Sequence, residues 1–289
     1  MLVDLMSVNN ANGVRLDGAF FAPPLDAEPI GPVDAVLLIH GSYTNFSDPL
    51  TRETAEELRE IGYACLALNT TAHDTVWVDA ANRVNYGNAY EILDETNLDL
   101  KAGVDYLWNA GYRHIALLGH SMGAVRVAYY AATQDDQRVA AVIPISPVRL
   151  SYAYYQASED SQEFSELIRK AQELVAAGKG LELFDADFPI KQLFGATSYL
   201  DKHGLEERYN LVNLAPNIKI PMFIVGGSLE THTRSLNMAK DMAEAAVNSP
   251  KAEYVIIDGG DHAIANKKKE AATTVLRWLA SLKSQAAKV

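Results

Sequence analysis

Six short runs, at 35–40, 64–68, 115–119, 139–145, 222–226 and 254–258, are apolar at nearly every position, as in Ala35-Val36-Leu37-Leu38-Ile39. A strand with no polar face must be covered on both sides, which is the condition of a central strand in a parallel sheet. Between the runs lie stretches with helical spacing, at 50–61, 96–110, 122–132, 233–247 and 264–282. Strand and helix in alternation predict an α/β fold, a mostly parallel, doubly wound sheet. The first thirty residues differ: Asn12-Gly13 between two strand-like pieces predicts an antiparallel hairpin at the sheet edge, followed by a loop rich in proline from Pro23 to Pro32. The rhythm also breaks between Ser146 and Pro221. There the pattern predicts one or two helices over 156–178, a break at Gly178-Lys179-Gly180, a turn over 185–189 and further helix over 192–209. An insertion this long with helices of its own reads as a helical cap after the sixth strand. The expected division is a core of 1–146 and 216–289 with a cap or lid of 147–215.

Composition narrows the partners. Of 289 residues 48 % are apolar and 21 % charged, a globular mix. With 37 acidic against 25 basic residues the net charge is −12, which argues against a nucleic-acid or anionic-membrane partner. The one basic cluster, Lys267 to Lys269, is followed by Glu270 and reads as a solvated helix end. Cys65 is the single cysteine and sits in an apolar run, so no intrachain disulfide forms and a buried, inert thiol is expected. Asp4 stands where a signal peptide would carry a basic residue, and no stretch nears the ~18 apolar residues of a spanning helix. A soluble, cytoplasmic protein is expected; a homodimer is left open.

The sharpest chemical signal is Gly119-His120-Ser121-Met122-Gly123, placed between an expected strand and an expected helix. A tight strand-to-helix turn lifts a serine out of the sheet, and small residues two positions to either side leave room for it. The helix that starts there aims free N–H groups and a positive dipole end at the serine oxygen. A serine hydroxyl needs a base. Of seven histidines, His262 lies in Gly259-Gly260-Asp261-His262, after the last expected strand, and loops after parallel strands share one edge of the sheet. A third group must orient the imidazole. Glu230 follows the strand at 222–226; Asp258 and Asp261 are too close to His262 in the chain to support its ring, and the segment after Ile145 offers no carboxylate. Activity is then expected to fall in acid as the base takes up a proton.

The order Ser121, Glu230, His262 at successive strand ends resembles the α/β-hydrolase superfamily over residues 33–284, although that family more often carries Asp where this chain has Glu230. The resemblance implies a backbone oxyanion hole formed by the N–H of Met122 and, from the loop Ile39-His40-Gly41-Ser42-Tyr43, the N–H of Ser42, with Tyr43 the alternative. His40 is expected to brace that loop. Tyr43, His120 and His73 are the expected substrate contacts. Aromatics at Trp77, Tyr86 and Tyr90 and through the cap (Tyr152, Tyr155, Phe184, Phe194, Tyr199) suit a substrate of mixed polarity, although a small cap must bury most of its own. The Ser146-Pro147 step and the 173–180 stretch bear a faint likeness to siderophore esterases.

The resulting expectation is a serine hydrolase (EC 3.1.1.-) cleaving a small-molecule carboxylic ester or thioester through an acyl-enzyme. The alternatives on the same scaffold are an acyltransferase, a peptidase or a C–C hydrolase, and, from another class, a binding protein without turnover. A serine at 121 argues against dehalogenases and epoxide hydrolases, which need a carboxylate there. No glycine-rich phosphate fingerprint follows the first strand, and no three ligands show metal spacing, so no cofactor and no metal are expected.

Overall fold

Val36 and Leu38 on one face of a five-residue strand, and Ala35, Leu37 and Ile39 on the other, are all closed off from water. Each belongs to a separate apolar cluster, one per face of the sheet. Burial of a leucine-sized side chain contributes about 1.5–3 kcal/mol, so two such faces on several strands hold the sheet between helical layers. The structure is a computed structural model and describes residues 3–282; the ends of the expected 1–146 and 216–289 segments lie partly outside that range.

In chain order the strands are β1 (Asp4–Asn9), β2 (Arg15–Phe21), β3 (Ala35–Ile39), β4 (Ala64–Leu68), β5 (Trp77–Asp79), β6 (Val84–Tyr86), β7 (Ile115–His120), β8 (Val139–Ile145), β9 (Leu183–Ala186), β10 (Gln192–Gly195), β11 (Met222–Gly227) and β12 (Ala252–Ile257). The helices are α1 (Pro49–Glu60), α2 (Thr96–Asn109), α3 (Met122–Thr133), α4 (Tyr152–Gln156), α5 (Ser161–Ala176), α6 (Ala196–His203), α7 (Leu211–Leu214), α8 (Met238–Ala245) and α9 (Lys268–Ser281). Eight strands form one sheet in the order β1-β2-β4-β3-β7-β8-β11-β12. The first two pairings, β1 with β2 and β2 with β4, are antiparallel, and every other pairing in the sheet is parallel. Helices α1 and α9 cover one face, while α2, α3 and α8 cover the other. The fold is therefore the mostly parallel, doubly wound α/β sheet that the alternation predicts. At the edge hairpin, Asn10 Oδ1 accepts the N–H groups of Asn12 and Val14 while Gly13 takes φ +78°, a conformation that glycine tolerates best.

Three local expectations fail. The 192–209 helix is shortened to Ala196–His203, its start giving way to an antiparallel hairpin, β9 with β10, whose connection over 187–191 overlaps the expected 185–189 turn. In this hairpin Phe184 faces Phe194 across the strands, and both enter an apolar cluster with Tyr155, Phe164 and Tyr199. Four-residue strands are too short to impose a visible alternation, so that tertiary burial decides the outcome. Residues 233–237 form turns, with Asn237 at φ +58° just before α8, so this helix starts later than its spacing predicts. Likewise α9 starts at Lys268, since Ile264 stands at φ +51°. Both shortened helices release chain to loops at the strand ends. Two further details of the chain follow from packing. Thr75 to Asp94 contains the small hairpin β5–β6, closed by Trp77 stacked on Tyr86 at 5.2 Å. Cys65 is fully buried, and burial pushes its thiol far above the ordinary range. Among the described residues no helix is long and apolar enough to cross a membrane.

Candidate active site

The segment after β7 turns sharply because Ser121 stands at φ 55°, ψ −116°, a region that costs an ordinary residue about 1–3 kcal/mol. Packing on both sides holds it there: the Ser121 N–H donates to the Ile145 carbonyl at 2.9 Å, tying the turn to the end of β8. The flanking glycines serve close approach. A side chain at Gly119 would collide with the Gly123 carbonyl, and one at Gly123 with the carbonyls of Ile39 and His40. Gly119→Ala is accordingly expected to displace the turn; the measurement is phosphonate labelling of residue 121 in soluble protein, expected to fall at least about tenfold for a misplacement on the ångström scale. Unchanged labelling would show that the glycine is dispensable.

Two loops bring the other groups to this point. Gly227 at the end of β11 packs directly against Gly260, with no space for a side chain at 227, and the Leu229 N–H donates to the Gly260 carbonyl at 2.9 Å. The paired glycines therefore let the β11 and β12 loops touch; the flexibility that the sequence suggests is secondary. On these loops, Glu230 Oε1 lies 2.6 Å from His262 Nδ1, and His262 Nε2 lies 2.9 Å from Ser121 Oγ. The second oxygen of Glu230 accepts the Gly227 N–H at 2.8 Å. Ser121 and the Glu230 side chain are both buried, while the His262 side chain is 38 % exposed and open to a ligand. The two competing acids are engaged elsewhere: Asp261 accepts the Ala265 N–H, and Asp258 faces the Ser228 hydroxyl.

The loop after β3 lies over the serine. A Cβ at Gly41 would sit 3.3 Å from Cβ of Ser121, which places the Ser42 and Tyr43 backbone beside the start of α3. The Met122 N–H opens that helix and has no carbonyl partner within it. His40 braces the loop through both ring nitrogens: Nε2 accepts the Thr70 N–H at 3.1 Å, leaving Nδ1–H to donate to the Gly41 carbonyl at 2.8 Å. Burial first, then the Arg126 guanidinium, lower its pKa to about 3, so the ring is neutral.

The three expected substrate contacts have separate environments. Nε2–H of His120 donates to the His262 backbone carbonyl at 2.8 Å, and the two rings lie 5.4 Å apart; burial and the neighbouring His262 ring hold its pKa below the ordinary histidine range. His120 thus supports the His262 loop. His73 pairs with Asp74 at 2.9 Å and stacks on Trp77, with no contact to the serine, imidazole and carboxylate set. Tyr43, at φ +60°, is half-buried with its hydroxyl inside the protein; burial raises that phenol to about 12 while Arg234 pulls it down.

Charged groups absent from the sequence reading surround this set. Arg126 on α3 is fully buried and grips Glu91 through two nitrogens, at 2.7 and 3.1 Å. Its Nη1 donates to the His40 carbonyl at 2.9 Å, and Lys202 of α6 reaches the same Glu91 at 2.7 Å. A continuous chain of contacts thus runs from α6 to the loop over Ser121. The available signal was an arginine in the middle of the otherwise apolar run Met122-Gly123-Ala124-Val125-Arg126-Val127. Arg149, paired with Asp241 at 2.5 Å, and Arg234 are also buried near the site. Among the described residues no three His, Cys, Asp or Glu side chains gather as a metal site requires.

The chain matches the family model described as the alpha/beta hydrolase family over residues 36–273. It is similar in structure to the alpha/beta hydrolase GrgF from Penicillium sp. sh18, with 17 % identity, TM-score 0.69 and coverage of 96 % of this chain and 98 % of that one. Est1E from Butyrivibrio proteoclasticus gives 18 % identity and TM-score 0.65, covering 95 % and 97 %. The Pyrococcus furiosus esterase Pf2001 gives 18 % and 0.62, covering 96 % and 90 %. A comparison with curated proteins finds no match.

Proposed function

Because the chain belongs to the alpha/beta hydrolase family, we propose that it is a serine hydrolase that cleaves a small-molecule carboxylic ester, or a thioester, through an acyl-enzyme. The observation that carries this reading is one imidazole bridging two groups, with Nδ1 at 2.6 Å from Glu230 and Nε2 at 2.9 Å from Ser121. His262 Nε2 takes the Ser121 proton as Oγ bonds to the carbonyl carbon. The carbonyl oxygen becomes an oxyanion, received by the N–H groups of Met122 and Ser42. His262 then gives its proton to the departing alcohol as the carbon–oxygen bond breaks. In the second half the same imidazole deprotonates a water, which attacks the acyl-enzyme and releases the acid and the Ser121 hydroxyl. Glu230 holds Nδ1–H and stabilises the cation between transfers.

Residues 147–215 act in this reading as a cap. Supporting it, Gln192, Phe194 and His203 from that segment line one cavity with Met122. Most of the segment's aromatics pack into its own core, so the lining is narrower than the number of aromatics suggests. Acyl transfer to another acceptor uses the same acyl-enzyme and is separated by product analysis.

The test is a fluorophosphonate probe read by intact mass and peptide mapping. One adduct on Ser121, absent from Ser121→Ala, is expected together with hydrolysis of a short aryl ester. Folded protein with neither adduct nor turnover would be a binding protein on this scaffold and would overturn the proposal.

A further inference from the structure

Every other deeply buried cation around the site has a carboxylate. Arg126 and Lys202 share Glu91, and Arg149 meets Asp241. Arg234 is 8 % exposed, and among the described residues its guanidinium has no carboxylate or carbonyl within bonding distance. The nearest acid, Glu230, cannot serve, since its oxygens are taken by His262 and the Gly227 N–H. A guanidinium does not escape by losing its proton, and the Arg234 nitrogens, which keep contact with open space, are left to water until an anion arrives. The neighbouring tyrosines, Tyr43 and Tyr155, are kept protonated by burial and bring no charge, and the Tyr155 hydroxyl donates to the Arg149 carbonyl.

Arg234 lines a cavity together with Met122, Arg149, Gln192, Phe194 and His203. Two more polar atoms of that lining lack partners, Nε of Arg149 and Nδ1 of His203. Unused hydrogen-bonding groups on three side chains thus surround one small space whose lining includes Met122, the residue after Ser121. The space holds about one water molecule, so a ligand group enters only as side chains of the lining give way, and a small planar group demands less of that movement than a phosphate or sulfate.

We propose that Arg234 is a specificity-determining residue that receives a carboxylate borne by the substrate, making the substrate class carboxylate-bearing esters. This rests on the hydrolase reading above. A planar carboxylate pairs with the guanidinium through two parallel bonds, and it leaves the oxyanion donors free for the scissile carbonyl. Glu91 holds Lys202, which lines the same space, so that side of the lining stays fixed while the rest makes room.

The experiment compares matched pairs of substrates. Mono-4-nitrophenyl esters of glutarate, adipate and suberate are run against the same compounds with the free acid capped as a methyl ester. On the alcohol side, 4-acetoxybenzoate is run against its methyl ester. The readout is the ratio of kcat/KM, anionic over capped, within each protein, so that a general loss of activity cancels. The intact enzyme is expected to favour one anionic series about 10–100-fold, the value of a charge-assisted hydrogen-bonded contact. Arg234→Gln is expected to bring that ratio to near one through KM, and Arg234→Lys to keep part of it. Should both variants fail to fold, free adipate is expected to inhibit the intact enzyme competitively against the capped ester, less so at high salt. Hydrolysis of both members at equal efficiency, or a preference unchanged in Arg234→Gln, or no inhibition by the diacid, overturns the inference and leaves the hydrolase reading standing. No hydrolysis of any ester and no phosphonate adduct removes the hydrolase reading itself.

Discussion

Ser121→Ala and His262→Ala are each expected to lower kcat by roughly 10⁶-fold, and the double variant by little more, since in the proposed mechanism nucleophile and base act as one unit. The short distances are the reason. With Nε2 at 2.9 Å from Oγ, removing either partner abolishes the same proton transfer. Glu230→Gln is expected to cost less, about 10⁴-fold, and for a defined reason. Glu230 uses one oxygen for the Gly227 N–H and the other for His262 Nδ1. A glutamine there keeps its carbonyl on Gly227 and turns its NH₂ toward Nδ1. The ring then places its proton on Nε2, where it faces Ser121 as a donor and cannot act as base. Single-turnover kinetics on an activated ester measure all three. Full activity of Glu230→Gln would move the orienting role to another acid; substantial activity of Ser121→Ala would end the acyl-enzyme proposal.

What could be read in the chain follows the range of the forces involved. Strands such as 35–39 and 64–68 are apolar throughout, and burial on both faces admits few arrangements, so their positions follow from residue type. Ser121, Glu230 and His262 could be placed because a parallel sheet gathers the ends of its strands on one edge. The β9–β10 hairpin was illegible, since its two four-residue strands depend on Phe184 meeting Phe194 and on a shared aromatic core. The late starts of α8 and α9 were hidden too: Asn237 and Ile264 adopt left-handed backbone ahead of them that the helical spacing does not report. The pairing of Arg126, Glu91 and Lys202 joins residues as much as 111 positions apart, and no local pattern reports such a pairing. Likewise, no motif announces Arg234. Its significance lies in the lack of a partner, which only three dimensions reveal.

The second large effect concerns stability. Glu91→Ala is expected to lower the unfolding free energy by about 3–5 kcal/mol, because it strands two buried cations and not one contact. Urea unfolding followed by circular dichroism measures it, and a change below about 1 kcal/mol would show that water satisfies Arg126 and Lys202 unaided. The same carboxylate sets an acid limb. Burial pushes the Glu91 pKa up, but Arg126 and Lys202 together overcome that and lower it to about 2. A depressed carboxylate contributes stability that is complete above its unfolded value near 4.5 and is lost as pH falls toward 2. The stability difference between the intact protein and Glu91→Gln should therefore shrink across that window. His203, whose pKa burial holds well below 6.5, loses its contribution starting from higher pH and is separable on that ground. A triple variant, Glu91→Leu with Arg126→Met and Lys202→Met, removes every charge of the group and is expected to regain much of the stability. It does not regain the donor to the His40 carbonyl. Restored folding with depressed kcat in that variant would separate the two roles of the buried ion group: neutralising its own charges, and holding the loop that covers Ser121.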